Sequence, residues 1–323
     1  MSEAVIVDAI RTPIGRAVKG SLKDVRADDL AAVPLIALQE RNPGVDFSTV
    51  GDVMYGCAFG IGESGYNVAR NASLLSGIDF HVPGVTVNRF CASSLQTIRM
   101  AFHAIKAGEG DTYVAGGVEA VSRNVETGPF EFHHKLDGSE GSLYNVYIPM
   151  GLTAENVAER YGVSRESQDE WAVTSQNRAV EARESGHFDA EIVGVTTPDG
   201  TVVTQDDGPR PGTTIEKLAA LNPAFKPDGT VTAGNACPLN DGAAATLIMS
   251  EEKAAELGLK PRARIVASTV AAIEPEFMGV GPIPAIRQLL DNTGMSISDV
   301  DIVEINEAFA AQIVLCMDEL GID

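Results

Sequence analysis

Val85-Thr-Val-Asn-Arg-Phe-Cys-Ala-Ser-Ser-Leu-Gln96 is the stretch on which the reading of this chain turns. Val85–Asn88 is β-branched and strand-like. From Cys91 to Ala107 the apolar residues Leu95, Ile98, Phe102 and Ile105 recur at helical period, and Gly108 supplies the stop. The spacing predicts strand, short turn and helix, with Cys91 in the first helical turn. There the unpaired backbone N–H groups and the helix dipole favour a thiolate over a thiol. The same groups are placed to donate to an oxyanion when the sulfur attacks a carbonyl. A strand–turn–nucleophile–helix arrangement holds a reactive atom at the rim of a sheet. A free cysteine is also at home as a small buried residue, so position alone leaves both readings open.

Outward from this stretch, strand-like and helix-like segments alternate. Ala4–Val7 is a short apolar run before the Arg11-Thr-Pro-Ile-Gly15 turn, and Asp28-Asp29 open the amphipathic stretch Leu30–Gln39. Val50–Tyr55 reads as a strand, Tyr66–Leu75 as a helix ending at Gly77, and Thr112–Ala115 as a strand before Gly116-Gly117. The alternation predicts a layered α/β domain with a largely parallel sheet. Between about Ser122 and Asp241, clusters such as Gly128-Pro129, Asp137-Gly138, Pro198-Asp-Gly200, Asp207-Gly-Pro209 and Pro227-Asp-Gly229 break the pattern. One long polar helix, Ser164–Ser185, stands inside this region, which reads as an insertion folded over the core. The α/β pattern then resumes with strands at Gly242–Met249, Arg264–Thr269 and Val300–Ile305 and a helix at Pro284–Leu290.

A weak internal echo links Ser48-Thr-Val50-Gly-Asp-Val53 with Ser298-Asp-Val300-Asp-Ile-Val303, each flanked by helical segments. It points to two related halves. On that register Asp323 corresponds to a position near Gly77, and the first half's later strand, Cys-headed helix and closing strand have no counterpart. The second core domain is therefore expected to be incomplete.

Composition bounds the function. A length of 323 residues suggests about two domains. Lys and Arg number 24 against 45 Asp and Glu, a net charge of −21 that disfavours nucleic acid and anionic membranes as partners. The N-terminus has an acid where a signal peptide needs bases, and no stretch approaches the ~18 apolar residues of a membrane span. Cys57, Cys91, Cys237 and Cys316 are widely spaced, which reads as reduced thiols in a cytoplasmic protein. No H-E-x-x-H spacing occurs and His133-His134 reads as solvated loop, so no metal is expected.

The run Asn88–Gln96 resembles the nucleophile segment of the thiolase family. Further landmarks follow in family order: Arg11-Thr-Pro-Ile-Gly15, Ala115-Gly-Gly-Val-Glu119, Met150-Gly-Leu-Thr-Ala-Glu-Asn156, Thr232-Ala-Gly-Asn-Ala-Cys-Pro-Leu-Asn-Asp-Gly242, Gly279-Val-Gly-Pro-Ile-Pro284 and Asn306-Glu-Ala-Phe-Ala310. The resemblance implies the thiolase fold, an α-β-α-β-α layering of two related core domains with an inserted loop domain. On this chain it implies an N-terminal core of residues 1–121 plus 242–270, a loop domain of 122–241 over the coenzyme A site, and a partial C-terminal core of 271–323. It implies acyl transfer through a thioester on Cys91. A 3-ketoacyl-CoA would be cleaved to acetyl-CoA and a shortened acyl-CoA, or the reverse condensation run, with CoA as substrate and no resident cofactor.

Asn306 matches the family's oxyanion-hole asparagine, a role compatible with that of a polar cap on the helix after Val300–Ile305. The family also uses a histidine in a Gly-His-Pro motif and a second cysteine in a Cys-x-Gly-Gly motif, both after N-E-A-F. No histidine follows His187, and Cys316, on an apolar helical face, reads as core. The 323-residue chain alone is therefore expected to be impaired. Arg210 and Lys217 are the expected phosphate contacts, with Phe225, Ala233 and Cys237 along the pantetheine and Met150, Met278 and Phe309 around the acyl group. Pro149 stands where acetoacetyl-CoA thiolases often have His, which favours a 3-ketoacyl-CoA thiolase of broader chain length over a dedicated acetoacetyl-CoA enzyme. The expected setting is fatty-acid or related β-oxidation, or acetyl-CoA condensation. A homodimer or homotetramer is expected. The rival readings are a ketoacyl-synthase relative, against which N-E-A-F and N-D-G-A argue, and a non-catalytic CoA-binding or scaffold subunit.

Overall fold

A computed structural model describes residues 2–124 and 131–322, so the turn at Gly128-Pro129 and the terminal Asp323 lie outside the described residues. In chain order the elements are β1 (Ala4–Arg11), β2 (Gly15–Arg16), α1 (Ala27–Arg41), β3 (Val53–Gly56), α2 (Val68–Leu75), β4 (Gly84–Val87), α3 (Ser93–Ala107) and β5 (Thr112–Ala120). There follow α4 (Met150–Tyr161), α5 (Arg165–Glu184), β6 (Val195–Thr196), β7 (Val202–Val203), α6 (Ile215–Ala219), β8 (Asn240–Ser250), α7 (Glu251–Glu256), β9 (Ala263–Arg264), α8 (Pro282–Thr293) and α9 (Ala310–Leu320). The chain divides into a unit of Met1–Gly128, Gly186–Gly208 and Leu239–Val266, and a unit of Pro129–Ser185, Pro209–Pro238 and Ala267–Asp323.

The first unit is built on a sheet ordered β4-β3-β5-β8-β1-β9, with β2 also paired to β8. β3 is parallel to β4 and β5, because α2 and α3 cross over between them. The pairs β5–β8, β8–β1 and β1–β9 are antiparallel, so the sheet is mixed rather than largely parallel. The parallel expectation failed because β8 arrives from distant sequence, which segment order alone does not reveal. Alternation along the strands fills both faces. Val53, Tyr55, Val114, Val118, Leu247 and Met249 join Leu30, Leu35 and Leu38 of α1 and Val68 and Ala69 of α2. Met54, Tyr113, Ala115 and Ile248 join Ala101, Phe102 and Ile105 of α3. Residues Gly186–Gly208 belong to this unit through Arg11, whose guanidinium holds Glu191 at 2.6 Å and Asp206 at 2.8 Å.

Two expected strands come out differently. β9 stops at Arg264 because its antiparallel partner β1 begins at Ala4, and the Ile265 N–H to Ala4 carbonyl bond at 2.9 Å is the last rung. Val300–Ile305 forms no strand, since no chain pairs with it among the described residues, and Ile302 is 80% exposed. The echo survives in what precedes each segment. Phe47–Thr49 and Ile297–Asp299 are both 3-10 turns, capped by Asp46 in one case and by a Ser296/Asp299 capping box in the other.

The second unit packs α4, α8 and α9 around Val157, Ala158, Val280, Ile283, Ala311, Leu315 and Leu320. Glu155, only 4% exposed, accepts the Thr230 and Val231 N–H groups at 2.9 Å each, which pins the loop before Asn235 to α4.

Candidate active site

The turn after β4 is shaped by side chains that bond to its own backbone. Asn88 Oδ1 accepts the Phe90 N–H at 2.8 Å. Ser93 Oγ accepts the Arg89 N–H at 2.8 Å and donates to the Phe90 carbonyl at 2.6 Å. Held this way, Phe90 takes φ +46°, a left-handed conformation that costs a non-glycine residue about 1–2 kcal/mol. Cys91 follows at the centre of the 3-10 turn Phe90–Ala92 and is exposed. It therefore precedes α3 rather than sitting inside it, because Ser93 folds the chain into a tighter turn first. The α3 N-terminus still lies two residues on.

Two glycines set how closely that turn approaches the sheet. A Cβ on Gly56, at the end of β3, would lie 2.5 Å from Ser93 C and Ser94 N. One on Gly117, in β5, would lie 2.1 Å from Ser94 Oγ. Thr97 Oγ1 completes the attachment by donating to the Gly116 carbonyl at 3.1 Å.

The other three thiols differ in exposure. Burial pushes the Cys57 thiol up to about 11, with the Glu119 charge adding to it, and burial alone pushes Cys316 to about 11. Cys316 is core, as its apolar helical face predicts, with 0% exposure. Cys237 is exposed. At pH 8 a thiol titrating near 11 is roughly one part in a thousand thiolate. Short iodoacetamide treatment at that pH is expected to label Cys91 and Cys237 and to spare Cys57 and Cys316. Peptide mapping by mass spectrometry reads this, and fast labelling of Cys57 would contradict the burial described.

In the second unit, Asn306 lies exposed in the loop before α9. It does not cap that helix, whose N-cap is Phe309, so the capping role expected for it is not seen. The loop is fastened to the Asn235–Cys237 segment: the Cys237 N–H donates to the Ala308 carbonyl at 3.0 Å and the Ala310 N–H to the Asn235 carbonyl at 2.9 Å. Asn235, 3% exposed, is the anchor. Its Nδ2 donates to Asp169 at 2.9 Å and to the Thr230 carbonyl at 3.1 Å, and its Oδ1 accepts the Thr232 N–H at 2.8 Å. Asp169 is itself paired with Arg165 at 2.7 Å. Asn235→Ala leaves a buried carboxylate and two backbone groups short of partners. It is expected to cost about 2–4 kcal/mol, read as a lowered urea midpoint, against less than about 0.5 kcal/mol for an exposed control such as Asp228→Ala.

Other expected ligand contacts gather in the same unit. The Phe225 ring meets Phe309 edge-on at 6.0 Å and lies against Gly151, where a Cβ would come within 2.2 Å of it. Met150, beside Gly151, is 41% exposed. Met278 belongs to the 3-10 segment Pro275–Val280, which α4 holds through Asn156 Nδ2 to the Glu276 carbonyl at 3.1 Å. Ala233 is exposed on the Thr232–Asn235 loop. Arg210 is exposed, and its guanidinium makes no ion pair among the described residues, whereas Lys217 Nζ is drawn to the Gly212 carbonyl at 2.5 Å. The nearby Lys226 is held by Glu159 at 2.7 Å. Sequence reasoning missed the anchors, Asn235 with Asp169 and Ser93 with Asn88. Each stands in a quoted motif or helix start, but its partner is fixed only by folding.

Two family models match, "Thiolase, N-terminal domain" over residues 4–252 and "Thiolase, C-terminal domain" over residues 259–323. The chain belongs to the thiolase family. Thiolases are acyltransferases that work on coenzyme A thioesters without a resident cofactor. This thiolase is 48% identical to a beta-ketoadipyl-CoA thiolase of Acinetobacter baylyi, covering 100% of the chain and 84% of that protein. It is 47% identical to a 3-ketoacyl-CoA thiolase of Pseudoalteromonas translucida, over 100% and 83%. The dimeric peroxisomal thiolase of Saccharomyces cerevisiae superposes with a TM-score of 0.93 at 38% identity, covering 100% of this chain and 83% of that one. The acetyl-CoA acetyltransferase of Bacillus anthracis gives 0.90 at 42% identity, over 100% and 84%. Among the described residues of this thiolase no cluster of His, Cys, Asp and Glu has a metal-holding arrangement, and no helix is long and apolar enough to cross a membrane.

Proposed function

We propose that Cys91 is the acyl-accepting nucleophile of a 3-ketoacyl-CoA thiolase, and the observation that carries this is its exposure on a turn locked to the sheet. Its sulfur attacks the 3-keto carbon, and the C2–C3 bond breaks as its electron pair passes to the enolate of acetyl-CoA. The proton given up by the Cys91 thiol passes to that enolate, giving acetyl-CoA and leaving an acyl-thioester on Cys91. The thiol of a second CoA then attacks the thioester, its proton returning to the cysteine sulfur. Asn306 is proposed to donate to the oxyanion. Arg210 and Lys217 serve the CoA phosphates, Phe225, Ala233 and Cys237 the pantetheine, and Met150, Met278 and Phe309 the acyl chain. Residues 122–241 are proposed as the loop domain covering CoA, with residues 1–121 and 242–270 as the N-terminal core domain and 271–323 as the partial C-terminal one.

The names of the relatives, beta-ketoadipyl-CoA and 3-ketoacyl-CoA thiolases, and Pro149 together favour a 3-ketoacyl-CoA substrate longer than acetoacetyl-CoA, in β-oxidation or a related degradation. The cytoplasm is the proposed setting and a homodimer or homotetramer the proposed assembly, the latter supported by the dimeric yeast relative. The 323-residue chain is proposed to be slow on its own, since no histidine follows His187 and the one cysteine after Asn306, Cys316, is sealed in the core. The alternative is a CoA-binding subunit without turnover. CoA at saturating concentration is expected to slow iodoacetamide labelling of Cys91 at least about fivefold. Labelling of Cys91 at the same rate with and without CoA would remove both readings.

A further inference from the structure

Behind the Cys91 turn, within the first unit, stands a carboxylate that the reaction scheme leaves unused. Glu119 lies near the end of β5, half-buried, and makes no ion pair among the described residues. Its oxygens instead accept two successive peptide N–H groups, Ala58 at 2.8 Å and Phe59 at 3.3 Å, and the Asn124 side chain also bonds to it. The Phe59 N–H shares one planar trans peptide with the Ala58 carbonyl, so the two point in opposite directions. Drawing that N–H toward Glu119 therefore turns the carbonyl away from it. The carbonyl accepts Asn88 Nδ2 at 2.9 Å, and the other end of the same amide, Asn88 Oδ1, accepts the Phe90 N–H.

We propose that Glu119 is a positioning residue for Cys91: it fixes the Ala58–Phe59 peptide plane, which orients the Asn88 amide, which holds the left-handed Phe90 that presents the thiol. The proposal rests on the reading of Cys91 as the acyl acceptor. Burial of Glu119 raises its carboxyl above the usual range, yet the paired N–H groups favour the charged form, and the geometry asks only for two acceptor oxygens.

The test is the rate of Cys91 labelling by iodoacetamide in the 323-residue chain, with Cys237 as the internal reference and circular dichroism as the check on folding. Glu119→Ala and Asn88→Ala are each expected to slow Cys91 about tenfold, the equivalent of one lost hydrogen bond, while Cys237 is unchanged. Glu119→Gln keeps one acceptor and loses about threefold. The double variant Glu119→Ala with Asn88→Ala is no slower than either single one, because both cut the same path. Cys91 reacting at the wild-type rate in Glu119→Ala, or losses that multiply in the double variant, overturns the proposal. If Glu119→Ala does not fold, Glu119→Gln and Asn88→Ala decide by the same criteria. Wild-type Cys91 reacting no faster than Cys237 overturns the nucleophile reading itself, a separate outcome visible before any variant is made.

Discussion

Thiolysis of a 3-ketoacyl-CoA longer than acetoacetyl-CoA by the purified 323-residue chain is expected to run at least about 10⁴-fold slower than by a thiolase carrying both the Gly-His-Pro histidine and the Cys-x-Gly-Gly cysteine. General acid–base groups contribute about 10²–10⁴-fold each, and two are at stake. After Asn306 the chain offers no histidine, and its one thiol has 0% exposure and a titration pushed up to about 11. A group so protonated and enclosed serves poorly as a proton carrier at neutral pH. Cys91 keeps its place beside the start of α3, so its alkylation is expected to survive while turnover falls. Loss of the enolate absorbance of the 3-ketoacyl-CoA measures the rate. A value within tenfold of the two-motif enzyme would mean that another group in the chain moves the proton, and the proposed division of labour would fall.

Gly56→Ala is the second large effect. Its new Cβ would stand 2.5 Å from Ser93 C and Ser94 N, backbone atoms with no rotamer to yield, so α3 must lift off β3. Overpacking of this kind costs about 3 kcal/mol. In a unit of this size that is roughly 6–12 °C in Tm. Cys91 labelling should also change, because the displaced atoms belong to its turn. Gly44→Ala is the control, with nothing within 4 Å of its Cβ, and should fall within about 0.5 kcal/mol of the parent. Thermal melts compare the two, and equal Tm values would show that the turn yields more easily than its contacts imply.

Much of the first unit was legible because its signals are local. Short apolar and β-branched runs placed β1, β3, β4 and β5, and the helical period with Gly108 placed α3 almost to the residue. The site was legible to the extent that a sulfur at a strand–helix junction is a local pattern. The 3-10 geometry at Cys91 was not, because it depends on which lone pair Ser93 Oγ offers to which peptide. Long-range pairing escaped in the same way. The direction of β8, the ion pairs of Arg11 with Glu191 and Asp206, and the hold of Asp169 on Asn235 join residues tens to hundreds of positions apart. Val300–Ile305 shows the converse, a good strand pattern that forms no strand where no neighbouring chain offers a ladder.

Ser93 stands two positions from the sulfur and is an alcohol, a group open in principle to esterification by an activated acyl group. Its hydrogen is committed to the Phe90 carbonyl and its oxygen to the Arg89 amide, in a spot with 4% exposure. On the proposed role of Cys91, the neighbouring alcohol is thus held out of acyl transfer by the bonds it already makes.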